Sequence, residues 1–230
     1  MDLTVSLAAV WGLKSRFLLG LEKPDLESIL TPASHRRLPA NSVVQNQGEP
    51  ANRLFLLISG RARYFYITEE GRKILFLWLR PGDIFGAGAL LAQPHSFLVS
   101  AETVKDSRVL VWDHATIRSL SERYPRLRDN ALSIASDYFT YYVATHTALV
   151  SSSARERLAK ILVNFANGIG QKVPGGVQLE VTNEELANEA NVTVFTASRL
   201  LSEWQRNGAL VKSRGKVLLR SPERLTLRAA

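Results

Sequence analysis

Thr193, Val194, Phe195, Thr196, Ser198 and Arg199 put hydroxyls, two apolar side chains and one guanidinium within a single short run. Such a set can read the edges of base pairs. An arginine donates in parallel to O6 and N7 of guanine, hydroxyls bond to several bases, and methyl or ring surface lies against the thymine methyl. Lys212, Arg214 and Lys216 follow in a basic stretch suited to phosphate oxygens. From Arg199 to Arg228 eight Lys or Arg stand against two Glu, a net of +6 out of +8 for the whole chain. Charge gathered beside a base-reading run is the footprint of a polyanion-binding face.

These residues need an element that presents them, and the flanking sequence supplies it. Thr182 and Glu185 have the spacing of a capping box, which starts a helix whose inward side is Leu186, Ala187 and Ala190. Asn191 falls at the turn, where positive φ is needed, and Thr193 can cap a second helix. In that helix Ala197, Leu200, Leu201 and Trp204 recur at spacings of three and four and face inward. Val194, Phe195, Ser198 and Arg199 then fall on or beside the outward face. Asn207-Gly208 gives a helix stop. Ala209-Leu210-Val211 and Val217-Leu218-Leu219 flank the basic turn from Lys212 to Lys216, which makes a wing. A buried helical hairpin would explain the helix pair alone. The wing and the charge favour a winged helix-turn-helix that binds double-stranded DNA.

The 230 residues can hold two modest domains or one large one. The chain has no cysteine, which excludes disulfides, iron-sulfur clusters held by thiolates and Cys-bearing zinc sites. His35, His95, His114 and His146 are scattered, so neither a metal site nor haem ligation is expected. There is no His-x-His pair, Gly-rich phosphate loop, G-x-S-x-G or H-E-x-x-H, and the chain is not expected to be an enzyme. The apolar run Val5–Leu13 is short, is interrupted by Ser6 and Gly12, and follows Asp2. It reads as a packing segment. No membrane association is expected, and the location expected is cytoplasmic.

Residues from about 35 to 112 read as β-structure, with apolar runs at Leu54–Ile58, Ala62–Ile67, Lys73–Leu79, Phe97–Val99 and Arg108–Trp112. Ser59-Gly60 and Glu69-Glu70-Gly71 suit hairpin turns, and Pro81-Gly82 suits a type II turn. Many short strands point to a small barrel or jelly roll. After Pro125 a long helix runs to about Val150, with Leu132, Ala135, Phe139, Tyr142, His146 and Leu149 as a heptad seam. The seam can pair with its twin in a dimer or pack on the β-domain. Ser151-Ser152-Ser153 marks a hinge, a helix restarts at Arg155 with Leu158, Ile161, Leu162 and Phe165 inward, and Gly168 to Gly176 reads as a loop.

This order of parts resembles the Crp/Fnr family of bacterial transcription regulators. The resemblance rests on residues 44–49 (VQNQGE), 54–60 (LFLLISG) and 81–86 (PGDIFG), on the long helix and on the winged helix-turn-helix from Thr182. It implies an α+β chain with an N-terminal β-roll or jelly-roll sensor domain with N-terminal helices (1–124), a long dimerisation helix and hinge (125–152), and a C-terminal winged helix-turn-helix (153–230). It also implies a homodimer on a palindromic operator, with RNA polymerase as a further partner. In the cyclic-nucleotide-binding members a Glu follows this glycine turn and an Arg-Ser or Arg-Thr pair grips the phosphate. Here Ala87 and His95-Ser96 stand there, and Tyr142-Val143 replace the hydroxyls that meet the base. Cyclic AMP is therefore not expected. A small organic effector near Gly86, Ala87, Gly88, Ala89, His95, Ser96, Tyr138 and Tyr142 is one expectation, with Phe139 and Tyr141 adding to the aromatic surface. That aromatics simply fill the space, with no effector or cofactor, is the other. A sequence-indifferent architectural DNA binder is the alternative function.

Overall fold

The computed structural model describes residues 13 to 225, apart from the side chain of Ala148, and the chain forms two compact units that divide between Thr140 and Tyr141. The packing segment expected at Val5–Leu13 lies outside the described residues except for Leu13, which packs on the first core.

In the first unit, β1 (Ser34–Leu38) and β2 (Val43–Gln45) lead into β3 (Arg53–Ile67), followed by β4 (Lys73–Leu79), β5 (Ile84–Phe85) and β6 (Ser100–Asp113). All pairings are antiparallel, in the order β1-β6-β3-β4, with β2 on β6 and β5 on β3. Leu54 to Leu57 are all buried because β3 is covered on both faces. Leu54 and Leu56 pack with Phe17, Ile29 and Trp112, together with helices α1 (Lys23–Leu30) and α2 (His114–Arg123). Phe55 and Leu57 pack inside the roll with Phe85, Val109 and Val111. The Trp112 indole N–H donates to the Ile29 carbonyl at 2.8 Å, so a large apolar side chain is buried with its polar atom satisfied.

Three local expectations are corrected. Ser59-Gly60 is no hairpin turn, and the strands expected on either side of it are one. Gly60 sits at a bulge with φ +95°, where an added Cβ would lie 2.2 Å from Ser107 Oγ and 2.5 Å from the Asp106 carbonyl oxygen. Phe97–Val99 is not a strand: Phe97 is buried in the roll and its neighbour Ser96 makes only an isolated bridge to Pro50. The loop expected over Gly168–Gly176 contains strand β7 (Gln171–Val173) and the start of β8 (Gly176–Leu179), which pair as a hairpin. Three residues are too few for an apolar alternation to show.

Helix α3 (Arg126–Ser151) belongs to both units. Its early residues Leu127, Ala131 and Ile134 are buried in the first core, and the residues from Tyr141 onward belong to the second unit. There α4 (Ala154–Gly168) starts at a capping box in which the Ser153 hydroxyl and the Glu156 carboxylate each accept from the other's backbone N–H. Leu158, Ile161, Leu162 and Phe165 are its buried side. Helices α5 (Asn183–Glu189) and α6 (Val194–Arg206) follow, then β9 (Leu210–Ser213) and β10 (Lys216–Leu219), in a sheet of order β7-β8-β10-β9.

One carboxyl in this unit is out of its usual state. Glu189, at the end of α5, accepts from the Tyr141 hydroxyl at 3.2 Å, and its second oxygen is buried with no hydrogen-bond partner among the described residues. Burial pushes its pKa up to about 8. Arg157 and Lys160 border the same small hole, but the Arg157 guanidinium donates to three backbone carbonyls. The folded chain therefore holds a proton that the unfolded chain, with an ordinary carboxyl near 4.5, releases. Between those values the folded state binds more protons, so stability falls as pH rises. Glu189→Gln should melt like the parent near the low end of that window and roughly 10 °C higher above its upper end. Thermal melts across pH check this; a parallel offset at every pH contradicts it.

Candidate nucleic-acid interface

Helix α6 is held by its buried side and at both ends. Ala197, Leu200, Leu201 and Trp204 are all buried, as their spacing requires. At its start the Thr193 hydroxyl accepts from the Thr196 N–H at 3.1 Å, and the two threonine hydroxyls lie 2.9 Å apart and share a hydrogen bond. Before it, the Thr182–Glu185 capping box starts α5, and Asn191 takes φ +48° at the turn. At its end the Trp204 indole N–H donates to the Leu225 carbonyl at 2.9 Å, and the Ala209 N–H donates to the Trp204 carbonyl at 2.9 Å.

Two arginines of α4 fix the pair from behind. Arg157 donates to the Ser152, Ala190 and Asn191 carbonyls at 2.7, 2.9 and 3.2 Å. Those carbonyls lie just before α4 and in the turn between α5 and α6, where they lack helical partners. Arg155 pairs with Glu203 and lies over the Trp204 ring at 5.7 Å. Neither role has a sequence signal, because each joins positions far apart in the chain.

The outward face is left open. Phe195 is 78% exposed and Val194 48%, Arg199 is exposed, and Ser198 and Thr196 are half-buried. The wing stands beside it: the Lys212 N–H donates to the Gln205 side chain at 3.2 Å, which ties β9 to α6. Lys212, Arg214 and Lys216 line a cleft of about 360 Å³ together with Thr182 and Asn183. Arg199 and these three cations make no ion pair among the described residues, whereas Glu203 is already neutralised by Arg155. The face is therefore a rigid helix with one guanidinium, carbon surface and unpaired positive charge, the combination that suits bases and phosphates.

The candidate effector residues separate. Gly86 takes φ +76°, and a Cβ there would lie 2.3 Å from the Arg53 carbonyl oxygen, so only glycine fits. Ala87, Gly88, Ala89 and Leu90 form a 3-10 turn, and the Ala89 carbonyl lies 2.8 Å from His114 Nδ1. Ala51 joins this turn to the next pair: its Cβ is near Gly88, and its N–H donates to the His95 carbonyl at 2.9 Å. His95 and Ser96 are themselves exposed. Tyr138 packs on the first core, and burial pushes its hydroxyl pKa up, with Asp83 adding to the rise. Tyr142 belongs to the second unit and is 55% exposed. Tyr64, not anticipated from sequence, is half-buried against the core of the roll, and burial raises its hydroxyl pKa strongly. The heptad seam is largely exposed: Leu132 and Phe139 are 71% and 69% exposed, Ala135 and His146 are exposed too, and Leu149, 37% exposed, borders the small hole beside Glu189.

Residues 35–124 match the family model of the cyclic nucleotide-binding domain, and residues 156–228 match that of the Crp-like helix-turn-helix domain. The chain is 29% identical over 174 residues to Electron transport regulator A of Shewanella oneidensis, which covers 75% of this chain and 68% of that one. It is 24% identical over 212 residues to the CRP-like cAMP-activated global transcriptional regulator of Mycobacterium tuberculosis, over 91% and 94% of the two chains. The fold is that of the c-di-GMP-responsive global regulator CLP of Xanthomonas campestris, with a TM-score of 0.76 and 22% identity over 86% of this chain and 99% of that one. A roll with its glycine turn, a long helix and a winged helix-turn-helix occur here in that family's order, and the chain belongs to the Crp/Fnr family of DNA-binding transcription regulators.

Proposed function

We propose that the protein regulates transcription in the cytoplasm by binding a palindromic operator as a homodimer, with RNA polymerase as its further partner. The observation that carries this is the open face of α6, where Arg199 and the wing cations have no acidic partner among the described residues. Arg199 donates to guanine, while Lys212, Arg214 and Lys216 take phosphates. The exposed row Leu132, Ala135, Phe139, Tyr142, His146 and Leu149 supports a two-fold helix pair, since rows of large apolar side chains on water favour burial against a copy. Two half-sites then lie about one helical turn apart.

The relative from M. tuberculosis is cAMP-activated and CLP is c-di-GMP-responsive. In this chain we read an effector other than cyclic AMP, or none. Ala87 offers no carboxylate for a ribose hydroxyl, and His95-Ser96 offers no permanent bidentate cation. No cofactor is part of this reading.

Operators enriched by the protein from random duplexes provide the test material. Arg199→Ala should cost about 1 to 3 kcal/mol and relax specificity at one base pair, while neutralising Lys212, Arg214 or Lys216 should weaken all sequences alike and lower the salt slope by about one per cation. Titrations of operator variants at several salt concentrations check both; an Arg199→Ala protein that keeps its full preference at every position contradicts the assignment. Phe139→Glu places charge in the exposed row without touching the core. Sedimentation should show a dimer for the parent and a monomer for the variant, and a parent that sediments as a monomer refutes the helix pair.

A further inference from the structure

We infer that Val194 and Phe195 read thymine methyl groups, so that the half-site carries T·A pairs beside the guanine taken by Arg199. The inference rests on the proposed entry of α6 into the major groove and adds the chemistry that its apolar start selects. Phe195 is 78% exposed and Val194 48%, which leaves most of the Phe195 ring and half of Val194 uncovered among the described residues. A Phe ring left in water gains free energy only when something apolar meets it. Two of the polar groups at this end of the helix are engaged with each other: the Thr193 and Thr196 hydroxyls share one hydrogen bond, and Thr193 also caps the helix.

The surroundings decide what the occupant is. Arg199 on the same helix, with Lys212, Arg214 and Lys216 on the wing, makes this face positive, so it attracts DNA and repels a like-charged copy of itself. The major groove displays donors and acceptors from every base and one apolar group, the C5-methyl of thymine. Opposite an adenine or cytosine amino group, the same ring would bury a donor without a partner, so it excludes those bases as well as favouring thymine. Phe195 and Arg199 are four residues apart on one face, about 6 Å along the axis. Base pairs stack about 3.4 Å apart, which puts the methyl within about two base pairs of the guanine.

Replacing thymine by deoxyuridine removes the methyl and leaves every hydrogen-bonding group in place. In the enriched operator, substitution one position at a time should weaken binding of the wild-type protein roughly 3- to 10-fold at one or two sites near the guanine and nowhere else. Phe195→Ala should bind the thymine operator more weakly and should no longer distinguish it from the uridine form. Its fold is not at risk because the side chain is exposed. Equal affinity of the wild type for thymine and uridine at every position, with tight sequence-specific binding retained, overturns the inference and leaves the DNA reading intact. Failure to enrich any operator overturns the DNA reading first. A Phe195→Ala protein whose DNA-free oligomeric state drops assigns the ring to a copy–copy contact and overturns the inference by another route.

Discussion

The Arg157 guanidinium donates to three carbonyls at once, that of Ser152 beyond the long helix and those of Ala190 and Asn191 in the turn before the recognition helix. Buried helix ends are costly when their carbonyls lack donors, so this one side chain lets a sharp turn be packed where a longer, hydrated loop would otherwise be needed. It also sets where α6 stands relative to α4. Arg155, paired with Glu203 over Trp204, fixes the far part of the same helix. A reading helix must be immobile at the scale of a hydrogen bond, and here two arginines, a capping threonine and a buried tryptophan restrain it from its inner side only. On the outer side Arg199 makes no ion pair among the described residues and Phe195 is exposed, which leaves both available to DNA.

The same unit includes the end of the long helix. Tyr141 reaches Glu189 at the base of α5, and Thr145 and Leu149 border the same hole. The helix therefore carries buried residues of the first core in its early turns and contacts the helix-turn-helix pair in its late ones, while a third set, the row from Leu132 to Leu149, faces water. A helix divided in this way has few residues free to change without consequence for one of the three surfaces.

Much of this was legible in the sequence because it follows local rules. The capping boxes, the positive φ at Asn191, the inward spacing of Ala197, Leu200, Leu201 and Trp204, and the helix stop at Asn207-Gly208 each depend on residues within a few positions of one another. The exposed row on α3 was legible as a period, although the period alone could not say whether the row was covered. The hold of Arg157 on the turn carbonyls of Ala190 and Asn191, the Arg155–Glu203 pair and the Tyr141–Glu189 contact were not legible, because these partners lie more than thirty residues apart and show no repeat. Gly60 was misread for a related reason: a glycine between two apolar runs signals a turn as readily as a bulge, and only the approach of Ser107 and Asp106 decides it. Tyr64 was hidden in an aromatic strand, since its type alone does not say which face of the strand it takes.

The central claim is that the open face of α6, presented twice by a symmetric helix pair, reads sequence. Selection of bound duplexes from a random pool at moderate salt, with no ligand added, tests it most directly. The account predicts enrichment of a two-fold palindrome with half-sites about one helical turn apart. Binding that depends on salt alone and enriches no sequence, both without ligand and when small organic and nucleotide effectors are added in turn, would contradict it and would assign the protein to architectural packing of DNA.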